Sequence, residues 1–134
     1  MSSLAARGNP IIPFTGADLS AALGKLVVFT AGVPAVSASA TVPATGVVLD
    51  GNVAAKQSSI GMLGGNLPPV RALISASSAQ LYPGDKLQQA ADGTLTKDLG
   101  AGNARVTVAT LTDENGAVAG DLAEVSFQTP VIGS

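Results

Sequence analysis

The 134-residue chain contains no histidine, cysteine or tryptophan. These absences remove the Ser-His-Asp triad, the cysteine nucleophile, the imidazole base and every Cys/His zinc or haem site. Disulfide cross-links are excluded as well. Aromatic residues are confined to Phe14, Phe29, Tyr82 and Phe127, which argues against a platform for stacking nucleic-acid bases. Charge is sparse: 12% of residues carry it, the net charge is −2, and Arg7, Lys25, Lys56, Arg71, Lys86, Lys97 and Arg105 stand singly. No basic stripe exists to neutralise phosphates, so nucleic acid is not an expected partner. The longest uncharged stretch, residues 26–49, is interrupted by Gly32, Pro34, Pro43 and Gly46, so no membrane span is expected. The first seven residues lack the apolar run of a secretory signal.

What remains is sufficient for one folded domain. Leu, Ile, Val and Phe number 36 of the 134 residues, above the roughly one-fifth share below which chains tend to stay disordered. From Leu26 onward apolar residues recur with period two, which predicts strands over 26–30, 36–41, 46–50, 59–63, 70–76, 86–90, 105–111 and 122–127. In the last, Ala123, Val125 and Phe127 share one face and Glu124 and Ser126 the other. Asp50-Gly51, Asp92-Gly93 and Asn115-Gly116 read as hairpin turns. The expected fold is all-β, a single small barrel or sandwich. Helical promise is limited to residues 16–24, where Asp18 can cap a two-turn helix closed by Gly24. Glycine followed by charge precedes a strand at Gly24-Lys25-Leu26, Gly84-Asp85-Lys86-Leu87 and Gly120-Asp121-Leu122. Ordinary turn chemistry accounts for that echo, which does not by itself amount to a duplicated fold.

Residues 1–18 read as an extended N-terminal arm, residues 19–129 as the β-domain and residues 130–134 as a tail. Pro10, Pro13 and Gly16 break every periodic pattern in the arm, yet Ile11, Ile12 and Phe14 are large and apolar. Two readings stand: a first strand or flap on the domain's own core, or a segment that lies on a partner, with Arg7, Ile11, Ile12 and Phe14 as contact residues. No catalytic, cofactor-binding or metal-ligating set emerges. Asp113-Glu114-Asn115-Gly116 is the densest acidic cluster, but it lacks the ligand alternation of a calcium loop and reads as a solvated hairpin tip. The glycine-rich stretches 61–66 and 100–103 match neither the dinucleotide nor the phosphate-loop spacing.

Four segments taken in order, Gly24-Lys25-Leu26-Val27, Thr45-Gly46-Val47-Val48-Leu49, Pro83-Gly84-Asp85-Lys86-Leu87 leading to Asp92-Gly93-Thr94-Leu95, and Gly120-Asp121-Leu122-Ala123-Glu124-Val125, resemble the small bacteriophage capsid cement or decoration proteins. The resemblance spans about three quarters of the chain. It departs at Arg105-Val106-Thr107-Val108-Ala109 and the longer hairpin over 113–120. The resemblance implies a non-enzymatic virion protein without cofactors, placed on the capsid exterior and made in the host cytoplasm. Its implied partners are the major capsid protein and copies of itself, as a homotrimer. Alternatives are a head-fibre base or tail-decoration module and, from another class, a glycan-binding or glycan-cleaving module at the host surface.

Overall fold

A computed structural model describes residues 11–15, 19–52, 57–63, 67–100 and 105–133. Its strands are β1 (Ile11–Thr15), β2 (Leu26–Thr30), β3 (Val33–Val36), β4 (Gly46–Asn52), β5 (Gln57–Met62), β6 (Val70–Leu73), β7 (Lys86–Gln89), β8 (Leu95–Lys97), β9 (Val106–Leu111) and β10 (Leu122–Ile132). They form two five-stranded antiparallel sheets, ordered β1-β5-β4-β2-β3 and β6-β10-β9-β7-β8. The all-β expectation holds, and the two curled sheets make a half-barrel. In the second sheet a parallel bridge between Ile74 and Leu95 draws the two outer strands together.

Several local expectations are corrected. Of the 16–24 segment, the described residues 19–24 contain a 3-10 turn at Ser20–Ala22, without a side-chain cap at Leu19; Asp18 lies outside the described residues. Leu23 (φ −56°, ψ 133°) and Gly24 (φ +79°) then form a type II turn that ends it. The strand expected over 36–41 is instead β3, ending at Val36. Beyond it, the Ser39 hydroxyl accepts the amides of Thr41 and Val42 at 3.1 Å each, local bonds that compete with a sheet ladder. Asp50-Gly51 is no turn: both residues pair with β5, past a register shift between Val48 and Asp50. The extra residue of that irregularity is Leu49, and Asp50 and Gly51 pair regularly beyond it with Ser59 and Ser58. The short β8 was not anticipated. At the chain ends, β1 lies within the 1–18 segment, paired with β5, and β10 runs to Ile132, paired with β9.

The two sheets repeat one topology. Counted from its own first strand, each has the order 1-5-4-2-3. The registers agree: Val27↔Gly46 matches Leu87↔Ala109, Val48↔Ile60 matches Leu111↔Val125, and Ile12↔Ile60 matches Val70↔Val125. Residues 11–62 and 70–132 are therefore two units of one design. The entry to the second strand of each unit is also the same. Gly24 donates to the Val48 carbonyl at 2.9 Å while the Val48 amide donates back to Lys25 at 3.0 Å; Gly84 and Leu111 do the same at 2.8 and 2.9 Å. Gly120 and Ile74 form a third such clasp at the start of β10. In all three the glycine has φ between +79° and +92°, a region that strongly favours glycine. In the two Asp versions the carboxylate folds back onto its own turn, Asp85 onto the Tyr82 amide and Asp121 onto the Val118 amide, each at 2.9 Å.

Side chains at equivalent positions make two unequal interiors. In the second unit Leu87, Leu111, Val125 and Ala72 are fully buried together with Ile74 and Leu81. Their counterparts in the first unit, Val27, Val48, Ile60 and Phe14, form a smaller separate cluster with Leu19, Phe29 and Met62. The opposite face of the first sheet, with Leu26 and Val47, joins the core of the second unit. Backbone bonds from Leu73 to the Gly24 carbonyl (3.0 Å) and from Leu26 to the Gly93 carbonyl (2.7 Å) tie the units together.

Candidate partner-binding surface

Ile11, Ile12 and Phe14 lie on β1, the outermost strand of the first sheet, in antiparallel register with Gly61, Ile60 and Ser58 of β5. Arg7 lies outside the described residues. Strand alternation sends Ile12 and Phe14 to the face of the small apolar cluster and Ile11 to the other. Phe14 meets Phe29 of β2 with ring centroids 5.0 Å apart and planes inclined at 46°, a tilted aromatic pair of ordinary favourable geometry. Ile11 and Ile12 each retain 38% exposure. Below Phe14, buried Ser58 accepts the Leu19 amide at 2.8 Å, anchoring the start of the 3-10 turn against the same face. Thus β1 is a paired strand whose apolar side chains are only half covered. Sequence reasoning missed Phe29, Met62 and Leu19 as neighbours of this surface. The alternation of Val27 with Phe29 on β2 was the available signal, since it matches that of Ile12 with Phe14.

Pro13 sits at the middle of β1, and Pro34 at the middle of the opposite outermost strand, β3. The β2–β3 loop is two residues, Ala31 (φ 52°) and Gly32 (φ 83°), the signature of a type I′ turn. Its flanking pair, Thr30↔Val33, is hydrogen-bonded in that geometry, so the next pair, Phe29↔Pro34, is not, and the imide nitrogen of Pro34 faces away from β2. Proline at such positions removes a donor from an open edge. The first sheet is therefore better suited to contact through its face than through added strands.

Two polar groupings occupy the second unit. Arg71, Thr112, Asp113, Glu114, Asn115 and Glu124 line an open cleft of about 310 Å³. Within it Thr112 donates to Glu124 at 3.1 Å, and Arg71 donates to the Leu122 carbonyl at 3.1 Å. Among the described residues no group of three acidic side chains is placed to hold a metal ion. The long β9–β10 connection is partly held by the domain itself: buried Ala117 exchanges backbone hydrogen bonds with Leu81 at 2.8 and 3.1 Å. The second grouping centres on Asp98, whose side chain is 7% exposed. It accepts from Arg105 at 2.9 Å, from the Gly100 amide at 2.8 Å and from the Thr107 hydroxyl. Burial alone raises this carboxyl, but the Thr107 hydroxyl, the Gly100 amide and the Arg105 guanidinium outweigh it and hold its pKa below the usual carboxylate value. Asp92 is lowered chiefly by the Thr94 hydroxyl. In each grouping a threonine hydroxyl donates to a carboxylate, Thr112 to Glu124 and Thr107 to Asp98.

Among the described residues, no helix is long and apolar enough to cross a membrane. Compared with known proteins, the chain matches no family model and no curated sequence.

Proposed function

We propose that this protein is a structural component of a bacteriophage virion, a cement or decoration protein that binds the outer surface of the capsid and stabilises the lattice of major capsid protein, acting as a homotrimer. The observation that carries this reading is the ordered set of turn-and-strand segments resembling that family. In the structure they fall at the entries of β2, β4, β7, β8 and β10 of one β-module. A composition without histidine or cysteine suits a task done by surface contact. Many weak contacts repeated over a symmetric shell supply avidity without any single strong site.

The test is to add purified protein to capsids assembled without it and to locate it by electron cryomicroscopy. Saturable density on the outer capsid surface, together with delayed DNA release on heating, is the expected result. Density confined to the tail or to fibre bases, or glycan binding with no capsid binding, overturns the proposal.

A further inference from the structure

Three dipeptides in the chain place an Asp or Asn before glycine: Asp50-Gly51, Asp92-Gly93 and Asn115-Gly116. A glycine nitrogen is not shielded by a side chain of its own, so in each it can attack the side-chain carbonyl carbon of the residue before it. The structure separates the three. Asp50 and Gly51 are held extended in the β4–β5 ladder, opposite Ser59 and Ser58. The Asp92 carboxylate accepts the Thr94 amide at 3.2 Å and the Thr94 hydroxyl, and an ionised carboxylate is a poor electrophile. Asn115 is exposed at the tip of the β9–β10 connection, and its neutral carboxamide has no hydrogen-bond partner among the described residues. The Gly116 amide donates to the Asp113 carbonyl at 3.1 Å, a local bond at an exposed turn, where opening costs least. The other asparagines precede bulkier neighbours. Asn9 stands before Pro10, whose nitrogen carries no proton, and Asn52, Asn66 and Asn103 stand before Val53, Leu67 and Ala104.

We propose that Asn115 is a site of spontaneous deamidation, and that its isoaspartyl product loosens the Leu81–Ala117 clasp that holds the β9–β10 connection to the core. The Gly116 nitrogen loses its proton to solvent base and bonds to Cγ of Asn115; the Cγ–Nδ2 bond breaks and ammonia leaves, closing a succinimide ring. Water then opens the ring. Cleavage of the Cγ–N bond gives aspartate in a normal chain. Cleavage of the backbone C–N bond leaves the chain running through Cγ, as isoaspartate, with an extra main-chain carbon. Either product adds a negative charge beside Asp113, Glu114 and Glu124. Only isoaspartate alters the spacing of the chain, and it does so where space is short. A Cβ on Gly116 would lie 2.5 Å from the Leu81 carbonyl oxygen. Ala117, next in the chain, exchanges backbone hydrogen bonds with Leu81, and the Gln80 side-chain amide donates to the carbonyls of Leu81 and Ala117 at 3.2 and 3.1 Å. Leu81 itself is fully buried in the larger core cluster. The added carbon drives Gly116 against the Leu81 carbonyl or draws Ala117 away from it, and either movement opens the clasp. The inference rests on this hairpin alone and does not depend on the virion reading.

The experiment incubates the full chain, folded by circular dichroism, at mildly alkaline pH and follows each asparagine by peptide mapping and mass spectrometry, with isoaspartate distinguished from aspartate by enzymatic methylation. Position 115 is expected to convert first among the asparagines, with isoaspartate exceeding aspartate. Asn115→Gln is expected to accumulate no acidic form over the same period, because its longer side chain closes the corresponding ring far more slowly. The isoaspartyl form is then separated by ion exchange and its amide exchange compared with that of the unmodified chain. Loss of protection at Leu81 and Ala117, with the β2–β4 amides unchanged, is expected. Earlier conversion at another asparagine, an intact Asn115 long after a free peptide of residues 112–118 has converted, or an isoaspartyl form whose Leu81 and Ala117 amides exchange as slowly as in the parent overturns the proposal.

Discussion

Gln89 shows how one buried polar side chain can organise a loop. It is 1% exposed, and its amide oxygen accepts the Ala44 amide at 3.0 Å while its amide nitrogen donates to the carbonyls of Ser39 and Val42 at 2.7 Å each. The β3–β4 loop of the first unit is thus held from β7 of the second. Gln89→Leu keeps the volume but strips all three bonds, and unsatisfied buried groups cost about 1–3 kcal/mol each. A loss of about 3 kcal/mol is expected in urea unfolding at neutral pH; a loss below about 1 kcal/mol would show that water takes over the side chain's role. Asp98 sets the acid sensitivity. Its pKa is lower folded than unfolded, so the unfolded chain binds its proton first as pH falls. Its contribution is complete above the unfolded value near 4 and disappears as pH drops through the folded one. Asp98→Asn is therefore expected to lower stability at pH 7 and to flatten the decline between about pH 5 and pH 2. Unfolding midpoints across that range check it, and an unchanged slope refutes it. Asp92, lowered in the same direction, keeps some acid sensitivity in the variant.

At the scale of elements, the open edges of the first sheet govern how the chain meets other chains. Pro34→Thr restores an outward amide at the middle of β3 and leaves the β2–β3 hairpin pairing intact, because that amide faces away from β2. Irregular, concentration-dependent aggregation is expected in place of defined self-association, measured by light scattering at matched circular dichroism. Equal solubility of variant and parent would show that another feature protects the edge. These edges also mark how far sequence could be read. Period-two alternation was legible in β7 and the first half of β10, where one face is buried and the other more exposed, while β2 and β9 read as strands from their apolar residues although Leu26 and Val27, and Val108 and Ala109, are buried side by side. Alternation misled at Val36–Thr41, where serine hydroxyls bond locally, and the Asp50-Gly51 dipeptide misled as a turn signal because β4 continues through it in pairing with β5. The doubled topology left one trace in the sequence, the glycine-and-charge echo at Gly24 and Gly84, which ordinary turn chemistry also explains; elsewhere register repeats while side chains do not, with Phe14 equivalent to Ala72 and Phe29 to Gln89. The half-covered apolar face of the first sheet was illegible for a related reason. Its openness depends on which residues the linking segments place over it, and three-dimensional pairing decides that.

For the whole molecule, the duplicated topology raises the question of whether the halves unfold separately. Their own ladders are self-contained, since no β1–β5 strand pairs in the sheet of β6–β10. The apolar interior argues the opposite. Leu26 and Val47 from the first unit, and Leu67 from the segment between the units, are buried in the same cluster as Leu87, Val108, Leu111 and Val125 from the second. Opening either half exposes this cluster, and with it go the Gly24–Leu73 and Leu26–Gly93 backbone bonds and the three bonds of Gln89. The first unit's private cluster has only three fully buried members, Val27, Val48 and Ile60, which at about 1.5–3 kcal/mol each cannot offset the entropy of ordering some fifty residues. A single cooperative transition is therefore expected, with calorimetric and van't Hoff enthalpies equal under conditions where the chain is monomeric. Leu26→Ala, which cuts a first-unit side chain out of the shared core, is expected to cost about 2–5 kcal/mol and to lower that one transition without splitting it. Two resolved transitions in the parent, or a variant in which only residues 11–62 lose protection from amide exchange, would mean that the units are independent domains and that the shared cluster is an interface between them.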